Sequence, residues 1–244
     1  MFIGLWDANT GLPIAAYCDA SFLSAALPAM PTAVSFTGTF RSEVAIASST
    51  GDLTLWNTAS ASTEIDGGAI VPSIVTAIAY TPMAGSYAML TGSSLGDVRL
   101  WDGSGGQGVC DLTKHCGWVW SVVFSTDGAR SSSAGQDGGV RVHDLTSFTE
   151  IACIQLHAPV RSVAFNDNDS QIITTVYGGA LSVWDISSGS EVATPLSGRG
   201  EGASCLVVCD CLSLVFVGLI SGVIESYALR SGEAADPLCG HTMA

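Results

Sequence analysis

Six short endings recur along this 244-residue chain: Trp6-Asp7, Trp56-Asn57, Trp101-Asp102, His143-Asp144, Trp184-Asp185 and the degenerate Tyr227-Ala228. They lie 50, 45, 42, 41 and 43 positions apart, and each closes a run rich in leucine or β-branched residues. A near-constant period of this length constrains the fold strongly. Each unit must be one supersecondary element that cannot bury its apolar face alone and stacks on its neighbours to do so.

The stretch from Lys114 to Leu145 displays one unit in full. It holds His115, a run from Val119 to Ser125, a Thr126-Asp127-Gly128 turn, Arg130 to Ala134, a Gln136-Asp137-Gly138 turn, and Gly139 to Asp144. The next unit repeats the order with His157, Val160 to Asn166, Ile172 to Val176, Gly178-Gly179 and Leu181 to Asp185. Short β-rich runs punctuated by small turn residues predict strands and leave no room for helices of ordinary length. Each unit reads as strands a, b and c followed by an outer strand d. The expected fold class is therefore all-β, a β-propeller of four-stranded antiparallel blades, with five readable complete units and a partial first blade.

The chain resembles the WD-repeat (WD40) β-propeller family over essentially its whole length. The resemblance rests on the periodic endings, on Gly51-Asp52, Gly96-Asp97 and Gly138-Gly139 turns, and on a His near the repeat start at His115, His157 and His241. In that family the ring closes when strands from the two chain ends share one blade. Here the chain starts in a strand c at Phe2 to Asp7, continues into a strand d near Pro13 to Cys18, and stops at Gly240 to Ala244, where a strand a is due. The expectation is an incomplete propeller, truncated on its C-terminal side by roughly 20 residues for six blades or about 60 for seven. The rival expectation is a complete chain whose terminal blade is thin or supplied by a second copy. Residues 1–244 read as a single repeat domain with no polar linker.

Formal net charge is −14, with 8 Lys and Arg against 22 Asp and Glu, which argues against gripping a phosphate backbone and so against nucleic acid. Much of the acidity falls in turns and repeat endings, where Asp has a structural use. No basic segment precedes the first apolar residues, so no secretory signal is expected and the expected compartment is cytoplasmic, with the nucleus open. The run Ala203 to Ile224 is nearly as long as a membrane span and holds only Asp210 as a charge before Glu225. Its register places Asp210 in a turn between strands, so a buried hairpin is expected and no membrane span. The eight cysteines are expected as thiols in a reducing compartment. Cys18, Cys110, Cys153 and Cys239 share outer-strand positions, and Cys205, Cys209 and Cys211 lack the spacing of a zinc site. No cofactor or metal is expected.

The resemblance assigns two groups of residues. A buried structural network in well-formed repeats links the repeat-start His, a Ser on strand b, an Asp in the b-to-c turn and the Trp of strand c; the matches are His115, Ser133, Asp137 and, in place of Trp, His143. The Asp position becomes Thr50, Leu95, Gly178 and Ser221 in the other units, so a catalytic Ser-His-Asp reading is not favoured and no catalytic residue is expected. The second group lies on the rim around the channel: the second residue of strand a (Thr76, Trp120, Arg161), the residue before the turn Asp position (Ser94, Gln136, Tyr177), and Trp118 in the loop before strand a. The units around Ala33 and Ser204 match too poorly for assignment. Trp, Tyr and Arg are the side chains that most often anchor interfaces. The expected function is a non-enzymatic scaffold or adaptor binding other proteins through Thr76, Trp118, Trp120, Gln136, Arg161 and Tyr177. The alternatives are an enzyme with channel-mouth chemistry, or the propeller part of a larger trafficking or ubiquitin-system protein.

Overall fold

The structure is a computed structural model. It describes residues 3–6, 10, 12–17, 30–36, 43–57, 62–69, 73–81, 88–102, 107–178, 181–196, 202–209, 213–228 and 238–239. Asp7, Cys18, Asp210, Cys211 and His241, singled out in the sequence, lie outside them.

Every described element is a β-strand. A two-stranded sheet pairs β1 (Ile3–Trp6) with β2 (Pro13–Tyr17), and five four-stranded antiparallel sheets follow. The first of these is β3 (Pro31–Phe36), β4 (Glu43–Ser48), β5 (Asp52–Asn57) and β6 (Ser62–Ala69). The second is β7 (Val75–Tyr80), β8 (Ala88–Ser93), β9 (Val98–Asp102) and β10 (Gly108–Asp111). The third is β11 (Val119–Phe124), β12 (Arg130–Gly135), β13 (Gly139–Asp144) and β14 (Thr149–Gln155). The fourth is β15 (Val160–Phe165), β16 (Gln171–Val176), β17 (Leu181–Asp185) and β18 (Glu191–Leu196). The fifth is β19 (Ala203–Cys209), β20 (Leu214–Leu219), β21 (Val223–Ala228) and β22 (Leu238–Cys239). Strands pair in chain order within each sheet, as up-and-down blades require. Within the run Ala203 to Ile224, Ala203–Cys209 pairs with Leu214–Leu219, and no helix among the described residues is long and apolar enough to cross a membrane.

The apolar residues meet between blades. Each first strand packs on the first and second strands of the blade before it, as β7 does on β3 and β4 and β19 on β15 and β16. Four clusters result, one at each of the four junctions between successive blades. Ala45, Leu53, Val75 and Met89 join the first to the second blade, and Leu90, Val98, Val119 and Val122 join the second to the third. Val140, Ile154, Val163 and Ile172 join the third to the fourth, and Ile173, Leu181, Leu206 and Val217 the fourth to the fifth. Full burial of one such valine or leucine contributes about 1.5–3 kcal/mol. This sandwich of sheets explains how a chain 48% hydrophobic keeps its apolar side chains on both faces of each blade.

The turn glycines have a specific cause at two places. Gly96 (φ 88°) and Gly138 (φ 75°) sit under the segments that lead out of their own blades. A Cβ at Gly96 would lie 2.1 Å from the His115 carbonyl oxygen, and one at Gly138 would lie 2.5 Å from that of Leu156. In return His115 N–H donates to Gly96 O and Leu156 N–H to Gly138 O, both at 2.9 Å. The glycines predicted as turn signals thus also allow the connection to the next blade to cross the turn.

The two outer faces of the five-blade set differ from the internal ones. The fourth residue of the first strand is buried in four blades, with exposures of 9% at Ile78, 5% at Val122, 2% at Val163 and 7% at Leu206. Val34, in the same position on the first blade, is 55% exposed. At the other end, an apolar hollow of about 300 Å³ opens on the fifth blade, lined by Cys205, Val207, Phe216 and Gly218 among others.

Candidate protein-binding rim

One backbone irregularity recurs at the residues expected on the rim. In every four-stranded blade the pairing of the first two strands shifts register after the first residue, at Pro31/Ala33, Val75/Ala77, Val119/Ser121, Val160/Ser162 and Ala203/Cys205. The residue skipped is the second of the strand: Thr32, Thr76, Trp120, Arg161 and Ser204. A bulge of this kind leaves one residue unpaired and re-aims its side chain. Thr76, Trp120 and Arg161 therefore occupy equivalent bulge positions, and Thr32 and Ser204, left unassigned from sequence, complete the set. The signal for Thr32 was present, since Pro31-Thr32-Ala33-Val34 parallels Val75-Thr76-Ala77-Ile78 in residue type.

These bulge residues connect neighbouring blades in two ways. The Thr32 hydroxyl reaches Val75 O of the second blade, and the Thr76 hydroxyl reaches Val119 O of the third; each also lies near a carbonyl of its own blade, Ala47 O at 3.3 Å and Gly92 O at 3.1 Å. At the next junction the pattern changes. The Arg161 guanidinium of the fourth blade lies 4.3 Å from the centroid of the Trp120 ring on the third and 5.3 Å from that of Tyr177 on its own blade. A guanidinium on an aromatic face gains from the ring quadrupole while its in-plane N–H groups remain available.

The other residues assigned to the rim make contacts of their own. Gln136 N–H donates to Trp118 O at 2.8 Å, and Trp118 N–H faces Gln136 Oε1 at 3.5 Å. Tyr177 N–H donates to Pro159 O at 2.8 Å, which fixes the turn while leaving its ring 56% exposed; Trp118 is 45% exposed. Ser94 is held through its backbone to Ile74 O at 2.9 Å on the second blade. Trp120, Arg161 and Tyr177 are thus brought into direct contact, Trp118 and Gln136 form a second pair, and Thr76 serves the junction one blade away.

Among the described cations Arg161 is distinct. Arg99 pairs with Asp111, Lys114 Nζ with Asp97 Oδ1 at 2.7 Å, and Arg141 Nη1 with Glu150 Oε2 at 2.9 Å. Arg130 Nη1 donates to Asp169 O at 3.0 Å. No acceptor among the described residues bonds the N–H groups of Arg161.

Beneath the rim, His115 bridges two strands' ends. Its Nδ1 lies 2.9 Å from Asp137 Oδ1 and its Nε2 2.9 Å from Ser133 Oγ. Burial lowers the His115 pKa, outweighing the carboxylate, so the imidazole is neutral at pH 7: Nδ1–H donates to Asp137 and Nε2 accepts from the Ser133 hydroxyl. Burial pushes the Asp137 carboxyl up, but the bond from His115 and the N–H groups of Cys116 and Gly139 hold it below the usual value. The three side chains have the connectivity of a hydrolytic triad, yet His115 and Ser133 are each 1% exposed, which leaves no approach for a substrate.

His143 does not join Ser133. In two other blades the strand-c indole donates to the matching hydroxyl on strand b, Trp101 Nε1 to Thr91 at 2.8 Å and Trp184 Nε1 to Thr174 at 3.1 Å. The smaller imidazole of His143 instead turns to Thr113, whose N–H donates to Nε2 at 3.2 Å and whose hydroxyl lies 3.1 Å away. Its Nδ1 is buried without a hydrogen-bond partner, and burial lowers its pKa. His157, the next repeat-start His, is exposed. In the first two blades the turn is closed locally: Asp52 N–H donates to Ser48 Oγ and Asp97 N–H to Ser93 Oγ, both at 3.1 Å. Cys110, Cys153 and Cys239 all fall on fourth strands, and among the described residues no three His, Cys, Asp or Glu side chains converge as metal ligands.

Five blades of antiparallel strands with bulged inner strands define a β-propeller. The family model described as "WD domain, G-beta repeat" matches residues 106–144 and 148–185, the units of the third and fourth blades. The chain belongs to the WD-repeat β-propeller family. It is 30% identical over 168 residues to human WD repeat-containing protein 90, covering 68% of this chain and 9% of that one. It is 26% identical over 136 residues to small ribosomal subunit protein RACK1 of Brassica napus, covering 48% of this chain and 41% of the relative. The chain thus spans less than half the length of these relatives. The crystal structure of the computationally designed Ika8 protein superposes with a TM-score of 0.73 at 20% identity, over 97% of this chain and 68% of the designed one, a likeness of fold.

Proposed function

We propose that this propeller is a non-enzymatic scaffold or adaptor that binds protein partners on the rim at Trp118, Trp120, Gln136, Arg161 and Tyr177. The observation that carries this reading is the contact of Arg161 with the rings of Trp120 and Tyr177 at the junction of the third and fourth blades, with Trp118 exposed two residues before Trp120. The anchors stand on rigid strands and turn backbone, so little ordering cost opposes binding. Membership of a family that includes a ribosomal subunit protein supports a role inside protein assemblies. A net charge of −14 supports protein partners over nucleic acid. A cytoplasmic location, with the nucleus open, is part of the same proposal.

The test is affinity capture from cell extract with the wild-type chain and a Trp120→Ala/Arg161→Glu variant, after both have been shown to melt alike. Partners lost by the variant alone are the expected result. Identical partner sets would remove the rim from the reading.

A further inference from the structure

We propose that the Arg161 site recognises a carboxylate, so that the partner presents an acidic side chain, Asp or Glu, within a short segment that also carries apolar residues. This rests on the adaptor reading and adds the chemistry of its partner. The first support is the contrast among the described cations: Arg99, Lys114, Arg130 and Arg141 each donate to an oxygen of this chain, whereas among the described residues Arg161 makes only ring contacts, with Trp120 and Tyr177. Contacts with ring faces consume no oxygen acceptor, so the guanidinium N–H groups of Arg161, the fork that matches a carboxylate in a bidentate pair, have no acceptor among the described residues. The aromatic rings also restrict the rotamers of a long side chain, so less freedom is lost when the pair forms.

The second support is the surroundings. Trp118 and Tyr177 are exposed on either side of the junction and offer apolar area, and the Gln136 amide offers a donor and an acceptor for a peptide backbone. A single guanidinium balances a monoanion. A phosphate dianion asks for a second cation, and each of the other described cations already donates to an oxygen of this chain. The net charge of −14 opposes an acidic partner at long range, but at physiological ionic strength that repulsion is screened beyond about 8 Å and the contact pair is not.

The probe is a displayed random dodecapeptide library panned on the whole chain, followed by calorimetry with the best peptide as a synthetic compound, its acidic residue replaced by Gln, and its acidic residue replaced by phosphoserine. The expected result is a consensus with Asp or Glu at one fixed place beside apolar residues. Replacing that acid by Gln should weaken binding to the wild-type chain by about ten- to hundredfold. In the Arg161→Gln chain, shown by thermal melting to fold as the wild type, the two peptides should bind alike, since the coupled partner is gone. A neutral or basic consensus would overturn the proposal, as would a loss on acid-to-Gln replacement that persists in Arg161→Gln, or phosphoserine binding more tightly than the acid. A neutral consensus abolished by Tyr177→Ala leaves the rim adaptor reading intact and removes the carboxylate alone. No enrichment, or enrichment indifferent to both Trp118→Ala and Tyr177→Ala, removes both.

Discussion

At the scale of single residues, His143 is the position where this chain departs most clearly from its own repeat. An indole at the equivalent site spans to strand b, as Trp101 does to Thr91, while the imidazole leaves Nδ1 buried and unpaired. Because Nε2 accepts the Thr113 N–H, the proton of the neutral ring sits on Nδ1, a buried donor whose desolvation costs about 1–3 kcal/mol. His143→Trp is therefore expected to raise the melting temperature at pH 7, with a gain of about 1 kcal/mol; a lower melting temperature would show that Thr113 depends on the imidazole. The gain should also grow with acid. Burial lowers the pKa of both His115 and His143 from 6.5, so between 6.5 and their folded values the unfolded chain binds more protons and stability is lost as the pH is lowered. The variant keeps one such histidine instead of two, and its advantage in melting temperature should widen from pH 7 to pH 5. The carboxylates held low by hydrogen bonds, Asp111, Asp127, Asp137, Asp144 and Asp185, act in a separate window, as pH falls below 3.8.

At the scale of elements, the blades are joined by polar clips as well as by apolar side chains. Ser121 Oγ accepts the N–H of Val163 and Ser162 Oγ that of Leu206, both at 3.3 Å, each link running from one inner strand to the next. On the turn between strands a and b, Asp169 of the fourth blade is buried at φ 55° and accepts three bonds from the third. These come from Thr126 N–H at 2.9 Å, the Thr126 hydroxyl, and Asp127 N–H at 3.2 Å. Asp169→Ala loses both acceptor oxygens and with them all three bonds, and places a Cβ residue without a compensating side-chain bond in the left-handed region, so a loss of about 3 kcal/mol is expected in urea unfolding. Asp169→Asn keeps one acceptor and tolerates that backbone, so its midpoint should fall between the two. Equal midpoints for Ala and wild type would show that the clip contributes nothing to the junction. The bulge at the second residue of each inner strand is the other recurring device at this scale, and it takes one residue of each blade out of the ladder and re-aims its side chain.

At the scale of the whole molecule, internal and outer blade faces make a direct comparison possible. Val163 and Val34 occupy one repeat position, the former 2% and the latter 55% exposed. Val163→Asp should cost at least about 3 kcal/mol by burying an unpaired carboxylate, while Val34→Asp should stay within about 0.5 kcal/mol. Chemical denaturation of the two variants measures this, and a large loss at Val34 would mean that its face is covered in solution. The endings from Trp6-Asp7 to Tyr227-Ala228 determined the strand-level plan, because alternation, turn glycines and a fixed period are local properties that each unit carries in its own residues. The family resemblance, matched at Val75, Val119 and Val160, located Thr76, Trp120 and Arg161 as equivalent, and the parallel at Thr32 was legible too. Only the tertiary structure decided that Arg161 lies on Trp120, 41 residues away, that His143 abandons Ser133 for Thr113, and that Asp169 clamps the turn of the preceding blade. The physical reason is that such contacts cross a junction between packed sheets. Their distances depend on how two blades seat against each other, a quantity set by the summed packing of both faces and not written in the pattern of either unit alone.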